Sequence, residues 1–370
     1  MIGNEPPGAD AAALGEALAC GATLPGSWYA DAGQFRRERD EIIYRTWQYV
    51  GRVDQVSAAG DFFTCKIGDV PLVVVCEAPG ALRCLVNVCG HRGSEVVLCA
   101  SGNRRTLQCH YHGWTYNLDG TLRAAPRSAE QPAFDPAAFA LRQVRLDTFG
   151  PFIFANLDPG APPLAHFLGE LPALMREAGA SLEGLKLRGG KVYDMACNWK
   201  IVVENYLECY HCAVAHPSFA ELIDLNRYEV LPYEYFSLQR GPAKNAPEEN
   251  RLYDASGGPQ EGLYAYLWPN FMLNIYPGRG NASLNFIVPV APDRTLAVYE
   301  FYFGDDMPQS ESDSIVEFIE QVQQEDIVLC ESVQRGMASG YFGQGQLMLS
   351  RENGIQHFQR LVFEAMRDVG

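Results

Sequence analysis

The chain has 370 residues, 47% hydrophobic and 20% charged, which is long enough for two domains and a large core. A formal charge of −16 repels a phosphate backbone and an anionic membrane surface, so no nucleic-acid partner is expected. No basic N-region with an apolar stretch opens the chain, and no apolar run approaches the ~20 residues that span a bilayer; a soluble cytoplasmic protein without a membrane partner is expected.

Taken in order, a short apolar helix is predicted near 11–19. An amphipathic helix over 31–49 follows, with Phe35, Ile42, Ile43, Trp47 and Tyr49 between charges, ending before Gly51. Strand-like runs come next at 62–66, 71–76 and 82–88, separated by the turn signals Gly68-Asp69 and Pro79-Gly80. Asp158-Pro159-Gly160-Ala161-Pro162-Pro163 is the clearest linker. Beyond it the pattern predicts a helix over 164–178, a strand over 191–197, mostly strand over 228–303, and helix from Pro308, with an amphipathic helix near 356–367. The class is α+β: a small all-β domain, then an antiparallel sheet covered by helices. The predicted division is 1–48 as a helical segment packing on the second domain, 49–158 as the β domain, and 159–370 as the second domain.

Two metal-like loops hang from the β region: Cys89-Gly90-His91 and Cys109-His110-Tyr111-His112. A [2Fe-2S] cluster with two thiolates on one iron and two imidazoles on the other needs one Cys and one His from each loop. A Cys2His2 zinc ribbon uses similar residues, but usually pairs Cys with Cys and His with His. The second loop continues Gly113-Trp114-Thr115-Tyr116, a hairpin with aromatic cover suited to shielding a cluster.

A second centre is predicted around 204–217. If this stretch is helical, Asn205, Glu208 and His211 share one face. His216 would be rotated away, but Pro217 lets the last turn unwind so that both imidazoles converge on one ion. Two histidines and a carboxylate with open positions are the ligand set of a non-heme Fe(II) oxygenase. The carboxylate must come from another element, and Glu320, Glu325, Asp326 and Glu331 are available. Cys209 and Cys212 lack a second CxxC and a strand-then-helix setting, so they read as small buried hydrophobes. The eleven cysteines, odd in number and unevenly spaced, fit reduced thiols and metal ligands better than a disulfide framework.

The loops 89–93 and 109–114 resemble the Rieske motif of ring-hydroxylating oxygenase large subunits, and Asn198-Trp199-Lys200 with 204–217 resembles the mononuclear iron motif of the same family. The resemblance implies that Cys89, His91, Cys109 and His112 hold a Rieske [2Fe-2S] cluster. It also implies that His211, His216 and Asp326 hold Fe(II), Asp326 being singled out by the run Gln324–Gly336. Ser94 and Tyr111 stand where the respiratory branch has two further cysteines, which implies a cluster without the adjoining disulfide and with a lower potential. Glu208 matches the bridging acid that reaches a cluster histidine, here His112, of a neighbouring subunit in a ring-shaped homotrimer; Glu208 and Asn205 are the catalytic candidates.

No flavin or nicotinamide fingerprint is present, so electrons are expected from a separate NAD(P)H-dependent reductase, with or without a ferredoxin. The expected reaction inserts one or two oxygen atoms from O2 into a small-molecule substrate. The 204–212 stretch together with Leu267-Trp268-Pro269-Asn270-Phe271 is most similar to the branch acting on quaternary ammonium compounds, which implies N-demethylation or hydroxylation. Tyr206, Tyr264, Tyr266 and Trp268 are the candidate pocket residues, since aromatic faces attract such cations. Two alternatives stand beside it. An aromatic-ring or aromatic-acid hydroxylase would use the same aromatics as an apolar slot, with Arg227, Arg240 or Arg251 available for a carboxylate; a Rieske electron carrier would have no oxygenase activity.

Overall fold

The structure, a computed structural model, describes residues 11–244, 258–278 and 280–367. The chain forms two compact units, Ile43–Leu164 and Met1–Ile42 with Ala165–Gly370. Sequence reading had placed these borders at 49 and 158.

The smaller unit is all β. Its strands are β1 (Gln48–Arg52), β2 (Asp61–Ile67), β3 (Val70–Ala78), β4 (Ala81–Val86), β5 (Ser101–Asn103), β6 (Leu107–Gln108), β7 (Thr115–Tyr116), β8 (Leu122–Ala124), β9 (Gln143–Phe149) and β10 (Phe152–Asn156). Seven make one sheet in the order β1-β10-β9-β4-β3-β2-β5, and β6-β7-β8 make a small second one. Phe62, Val73, Val75 and Leu85 from the large sheet share a core with Cys89, Cys109, Trp114 and Tyr116 from the loops. The loop cysteines are therefore fixed by hydrophobic packing as well as by their turns.

The helix predicted over 31–49 is too long. It stops at Glu38, passes through a π turn over Arg39–Ile43, and gives way to β1. Helical periodicity loses here to strand pairing: Gln48 faces Ala155 in the ladder with the fully buried β10, and Tyr49 packs edge-on against Phe152 and Phe154.

In the larger unit the helices are α1 (Ala11–Ala19), α2 (Ala32–Glu38), α3 (Leu164–Leu168), α4 (Leu171–Glu177), α5 (Trp199–Tyr206), α6 (Cys212–Ala215), α7 (Pro217–Leu222), α8 (Gln309–Ala338) and α9 (Asn353–Arg367). The single helix predicted over 164–178 is broken between α3 and α4 at Gly169, whose φ of +49° no helix interior tolerates. The strands are β11 (Lys186–Met195), β12 (Glu229–Pro232), β13 (Phe236–Pro242), β14 (Glu261–Leu267), β15 (Phe271–Ile275), β16 (Asn281–Ala291) and β17 (Arg294–Phe303). They form one antiparallel sheet, a meander from β12 to β17 with β11 added beside β17. In α9, Ile355, Phe358, Val362, Phe363 and Met366 make the buried stripe. No helix among the described residues is long and apolar enough to cross a membrane.

The start of α5 anchors a buried polar network. Asn198 caps the helix by accepting from the Lys200 backbone N–H at 3.1 Å. The Lys200 ammonium, fully buried, donates to both Glu38 oxygens at 2.7 and 2.8 Å and to Asn198 Oδ1 at 2.9 Å, while the Trp199 indole donates to Glu38 at 2.9 Å. One helical turn on, Glu204 accepts from Tyr29 at 2.6 Å and Gln359 at 2.9 Å, and burial raises its pKa to about 7.

A raised carboxylate pKa favours the folded state while the group is neutral, and that contribution is lost as pH climbs through the folded value. Unfolding free energy is expected to fall by about 3 kcal/mol between pH 4.5 and 8 from this group alone. Denaturant titrations of wild type and Glu204→Gln across that range check it; the variant's curve should be flatter.

Candidate functional site

The two cysteine loops of the smaller unit are built alike. In each, the cysteine N–H bonds the carbonyl five residues on (Cys89 to Ser94, Cys109 to Trp114, both 2.8 Å). The glycine four residues on donates back to the cysteine carbonyl (Gly93 and Gly113, both 3.0 Å). Both glycines lie at positive φ, +74° and +72°, which the tight return requires. The thiols end up buried and the imidazoles of His91 and His112 exposed, their rings 4.5 Å apart. Trp114 stacks on His91 at 5.0 Å. Tyr116 accepts from the Gly90 N–H at 3.0 Å, and its hydroxyl shares a hydrogen bond with Cys89 Sγ at 3.3 Å. Two thiols inside, two imidazoles outside and a hydroxyl hydrogen-bonded to one sulfur fit a [2Fe-2S] cluster ligated by two Cys and two His.

In the larger unit, the helix expected from 204, with only its last turn before Pro217 unwound, does not form. It ends at Tyr206; 207–211 is irregular; α6 and α7 are separate short turns. The break occurs because Glu208 turns back on its own backbone, accepting from the N–H groups of Tyr210 and His211, which replaces helical hydrogen bonds. His216, forced out of the helical region before Pro217 (φ −124°, ψ 70°), swings its imidazole towards His211. The thiols of Cys209 and Cys212 are not two separate hydrophobes: they form a disulfide bracketing His211. Their Cα atoms stand 5.0 Å apart, a disulfide distance.

His211 Nε2, His216 Nε2 and Asp326 Oδ1 converge, with separations of 3.1, 3.0 and 3.5 Å. Three adjacent ligands of an octahedral ion, each about 2.1 Å from it, stand about 3 Å apart, so the donor set fits a two-His, one-carboxylate metal site. Each ligand has an outer partner. Glu208 bonds His211 Nδ1, Glu325 bonds His216 Nδ1 at 2.7 Å, and Asn205 donates to Asp326 at 3.0 Å. Burial opposes a charged His211, yet Asp326 and Glu208 hold its pKa up to about 10; His216 is raised against burial by Asp326 and Glu325. Three carboxylates around two imidazoles make a site that gathers positive charge.

Glu325 is the site residue that sequence reasoning passed over, having placed it among four acids and chosen Asp326. Its signal was adjacency on a helix: residues i and i+1 differ by about 100° in direction, so both can border one cavity.

A cavity of about 140 Å³ opens beside these ligands, bordered by Tyr206, Tyr228, Tyr264, Tyr276 and Tyr299 and by amides on the sheet. Of the four candidate pocket residues, Tyr206 and Tyr264 border this cavity. Tyr266 and Trp268 do not: both pack on Phe358 of α9, at 6.0 and 5.9 Å, and the Tyr266 hydroxyl is consumed by the Pro269 carbonyl. Strand alternation puts Tyr264 and Tyr266 on the same face, but α9 covers the second. No arginine or lysine borders the cavity among the described residues. Arg240 is paired with Glu261 at 2.8 Å, and Arg251 lies outside the described residues.

Family models match both units: "Rieske [2Fe-2S] domain" over residues 46–139 and "Ring hydroxylating alpha subunit (catalytic domain)" over residues 182–368. The carnitine monooxygenase oxygenase subunit of Escherichia coli K12 is 33% identical, covering 94% of both chains. The chloroplastic choline monooxygenase of Beta vulgaris is 32% identical over 93% of this chain and 77% of its own. Among solved structures, the quaternary ammonium Rieske monooxygenase CntA in complex with L-carnitine superposes with a TM-score of 0.83 at 30% identity, covering 95% of this chain and 97% of that one. A Rhodococcus naphthalene 1,2-dioxygenase shares the fold at 20% identity, with a TM-score of 0.80 over 94% of this chain and 95% of that one.

Proposed function

Because the chain belongs to the Rieske oxygenase alpha subunits, we propose that it is the terminal oxygenase of a multicomponent system that hydroxylates or N-demethylates a quaternary ammonium compound. The observation that carries the substrate class is the cavity: five tyrosines and the carboxylates of Glu208 and Asp326 line it, and no arginine or lysine does among the described residues. Each aromatic face contributes about 0.5–2 kcal/mol to holding a trimethylammonium group. The similarity to carnitine and choline monooxygenases supports the same reading.

Cys89, His91, Cys109 and His112 would hold the Rieske cluster, and His211, His216 and Asp326 the mononuclear iron. When bound, these groups supply electrons and O2 activation. The chain's own part is orientation. Glu208 and Glu325 fix the two histidines with Nε2 free to ligate, Asn205 fixes Asp326, and the tyrosines position an N-methyl group while excluding water. A separate NAD(P)H-dependent reductase, a homotrimeric assembly and a cytoplasmic location complete the proposal. In the trimer, Glu208 links His211 to the cluster histidine His112 of a neighbouring copy.

Glu208→Gln is expected to keep both metal centres loaded while coupled turnover falls about 100-fold or more, checked by iron content and oxygen uptake. Normal coupled turnover in that variant would remove Glu208 from the electron path. The function itself is tested in a single turnover: chemically reduced protein, O2 and a mixed pool of quaternary ammonium compounds and aromatic acids, read by mass spectrometry and a formaldehyde probe. Loss of a methyl with formaldehyde, or a hydroxylated ammonium compound, supports the reading; a hydroxylated aromatic product would replace it.

A further inference from the structure

Resting on the mononuclear-site reading, we propose that Cys209 and Cys212 are a redox-active pair, closed to a disulfide by hydrogen peroxide and opened by a dithiol, whose closed form tightens the site's hold on its metal ion. Of the eleven cysteines, all among the described residues, these two are bonded and nine carry free thiols, including the buried Cys76, Cys84, Cys197 and Cys330. A bridge among otherwise reduced thiols fits a reducing compartment, where bridges are usually transient and redox-sensing. It also closes a loop of only four residues, which removes little freedom from the unfolded chain, so its effect is local.

The pair is placed to act on both histidines. His211 lies inside the bridged turn, and Glu208, just before that turn, accepts from the N–H groups of Tyr210 and His211 and bonds the His211 ring at Nδ1. Cys212 opens α6, and its carbonyl accepts the His216 N–H at 3.0 Å. On either side the chain is held by the core: Gln239 donates to the Tyr206 carbonyl at 2.7 Å, Leu207 is fully buried, and His216 is buried. Between them Tyr210 and Val214 face solvent, 57% and 86% exposed. The disulfide is the covalent tie across an exposed turn that aims one imidazole and leads to the other. With it open, the Tyr210 and His211 N–H groups are free to leave Glu208, and the His211 ring loses the fixed direction on which metal affinity depends.

Cys209 and Cys212 both border the cavity beside the metal donors. Electrons that reach O2 there without oxidising a substrate leave with two protons as hydrogen peroxide, so the oxidant arises next to the pair. One thiol becomes a sulfenic acid as the peroxide O–O bond breaks and a first water leaves. The second thiol attacks that sulfur, the S–S bond forms and a second water departs. Two thiols and one hydrogen peroxide thus give one disulfide and two waters, with two electrons passing from sulfur to oxygen. A dithiol reverses the closure by exchange, giving up two electrons and two protons. Uncoupled turnover thereby tightens the site in which it occurs.

The test uses the cluster-loaded enzyme with its mononuclear iron removed, kept anaerobic after treatment with stoichiometric hydrogen peroxide or with a phosphine reductant and removal of either. Alkylation with peptide mass mapping reads the free thiols at Cys209 and Cys212, and calorimetry with Fe(II) reads the affinity. Both thiols are expected to be alkylated after phosphine and neither after peroxide. Fe(II) affinity should be about tenfold lower in the reduced form and recover on reoxidation. Cys209→Ser should stay at the reduced value under both treatments, whereas Cys20→Ser, which alters an exposed free thiol, should cycle like wild type. A pair that resists either treatment, or equal Fe(II) affinity in the two wild-type forms, would overturn the proposal. No Fe(II) bound in either form would overturn the mononuclear-site reading beneath it, and the proposal with it.

Discussion

With Asp326 replaced by alanine, iron is expected to drop from about three atoms per chain to about two, the cluster spectrum to persist, and product formation to fall to background. The reason is geometric. His211 and His216 approach each other from one irregular segment, and Asp326, from α8, is the third donor that closes the set. Two neutral imidazoles alone have little hold on Fe(II), and the loss removes the negative charge that offsets the ion. Glu325→Ala should behave differently in degree, weakening iron affinity 10- to 100-fold by freeing the His216 ring, without abolishing the site. Metal analysis and the cluster's absorbance, taken on the same samples, separate the two outcomes. Iron unchanged in Asp326→Ala would place the mononuclear site elsewhere.

Glu38→Ala is expected to destabilise the larger unit by about 3–5 kcal/mol, a large share of a typical folding free energy of about 5–15 kcal/mol. Lys200 is fully buried, and its ammonium would keep only Asn198 and a backbone carbonyl; the Trp199 indole would also lose its acceptor. The control is the double variant Glu38→Leu with Lys200→Met. Removing both charges together should recover most of the loss, because the large cost lies in stranding one charge rather than in lacking the pair. Denaturant titration of the three proteins reads this directly, and a double variant no better than Glu38→Ala would refute it.

Much of this was legible in the sequence, for reasons of spacing. The cluster loops are short, self-contained turns, so their residues could be named without knowing the fold; so could the paired histidines before Pro217. What escaped notice depended on partners far away in the chain. The acid Glu38 answers Lys200 from 162 residues away, with the whole of the smaller unit's sequence between them, and nothing local marks either. Glu325 was visible as an acid, but only the fold aims it at His216. The helix through 204–217 was plausible by periodicity and was overruled by one side chain, Glu208, competing for backbone N–H groups. Tyr266 was indistinguishable from Tyr264 by type and strand, and only the position of α9, which also covers Trp268, separates a pocket residue from a core one.

The converging donors of the larger unit come from α8 and the segment around α6, whereas Tyr264, Asn274, Asn285 and Tyr299 stand on the meander. On the proposed function, the metal donors therefore stand on helical segments, while the sheet supplies much of the cavity wall alongside Tyr206 of α5. If the cavity takes the substrate as proposed, exchanges along β14 to β17 can reshape it without touching the residues that would hold the iron. That separation makes the meander the natural target for a library aimed at altered substrate range, and the helical layer the part such a library should leave alone.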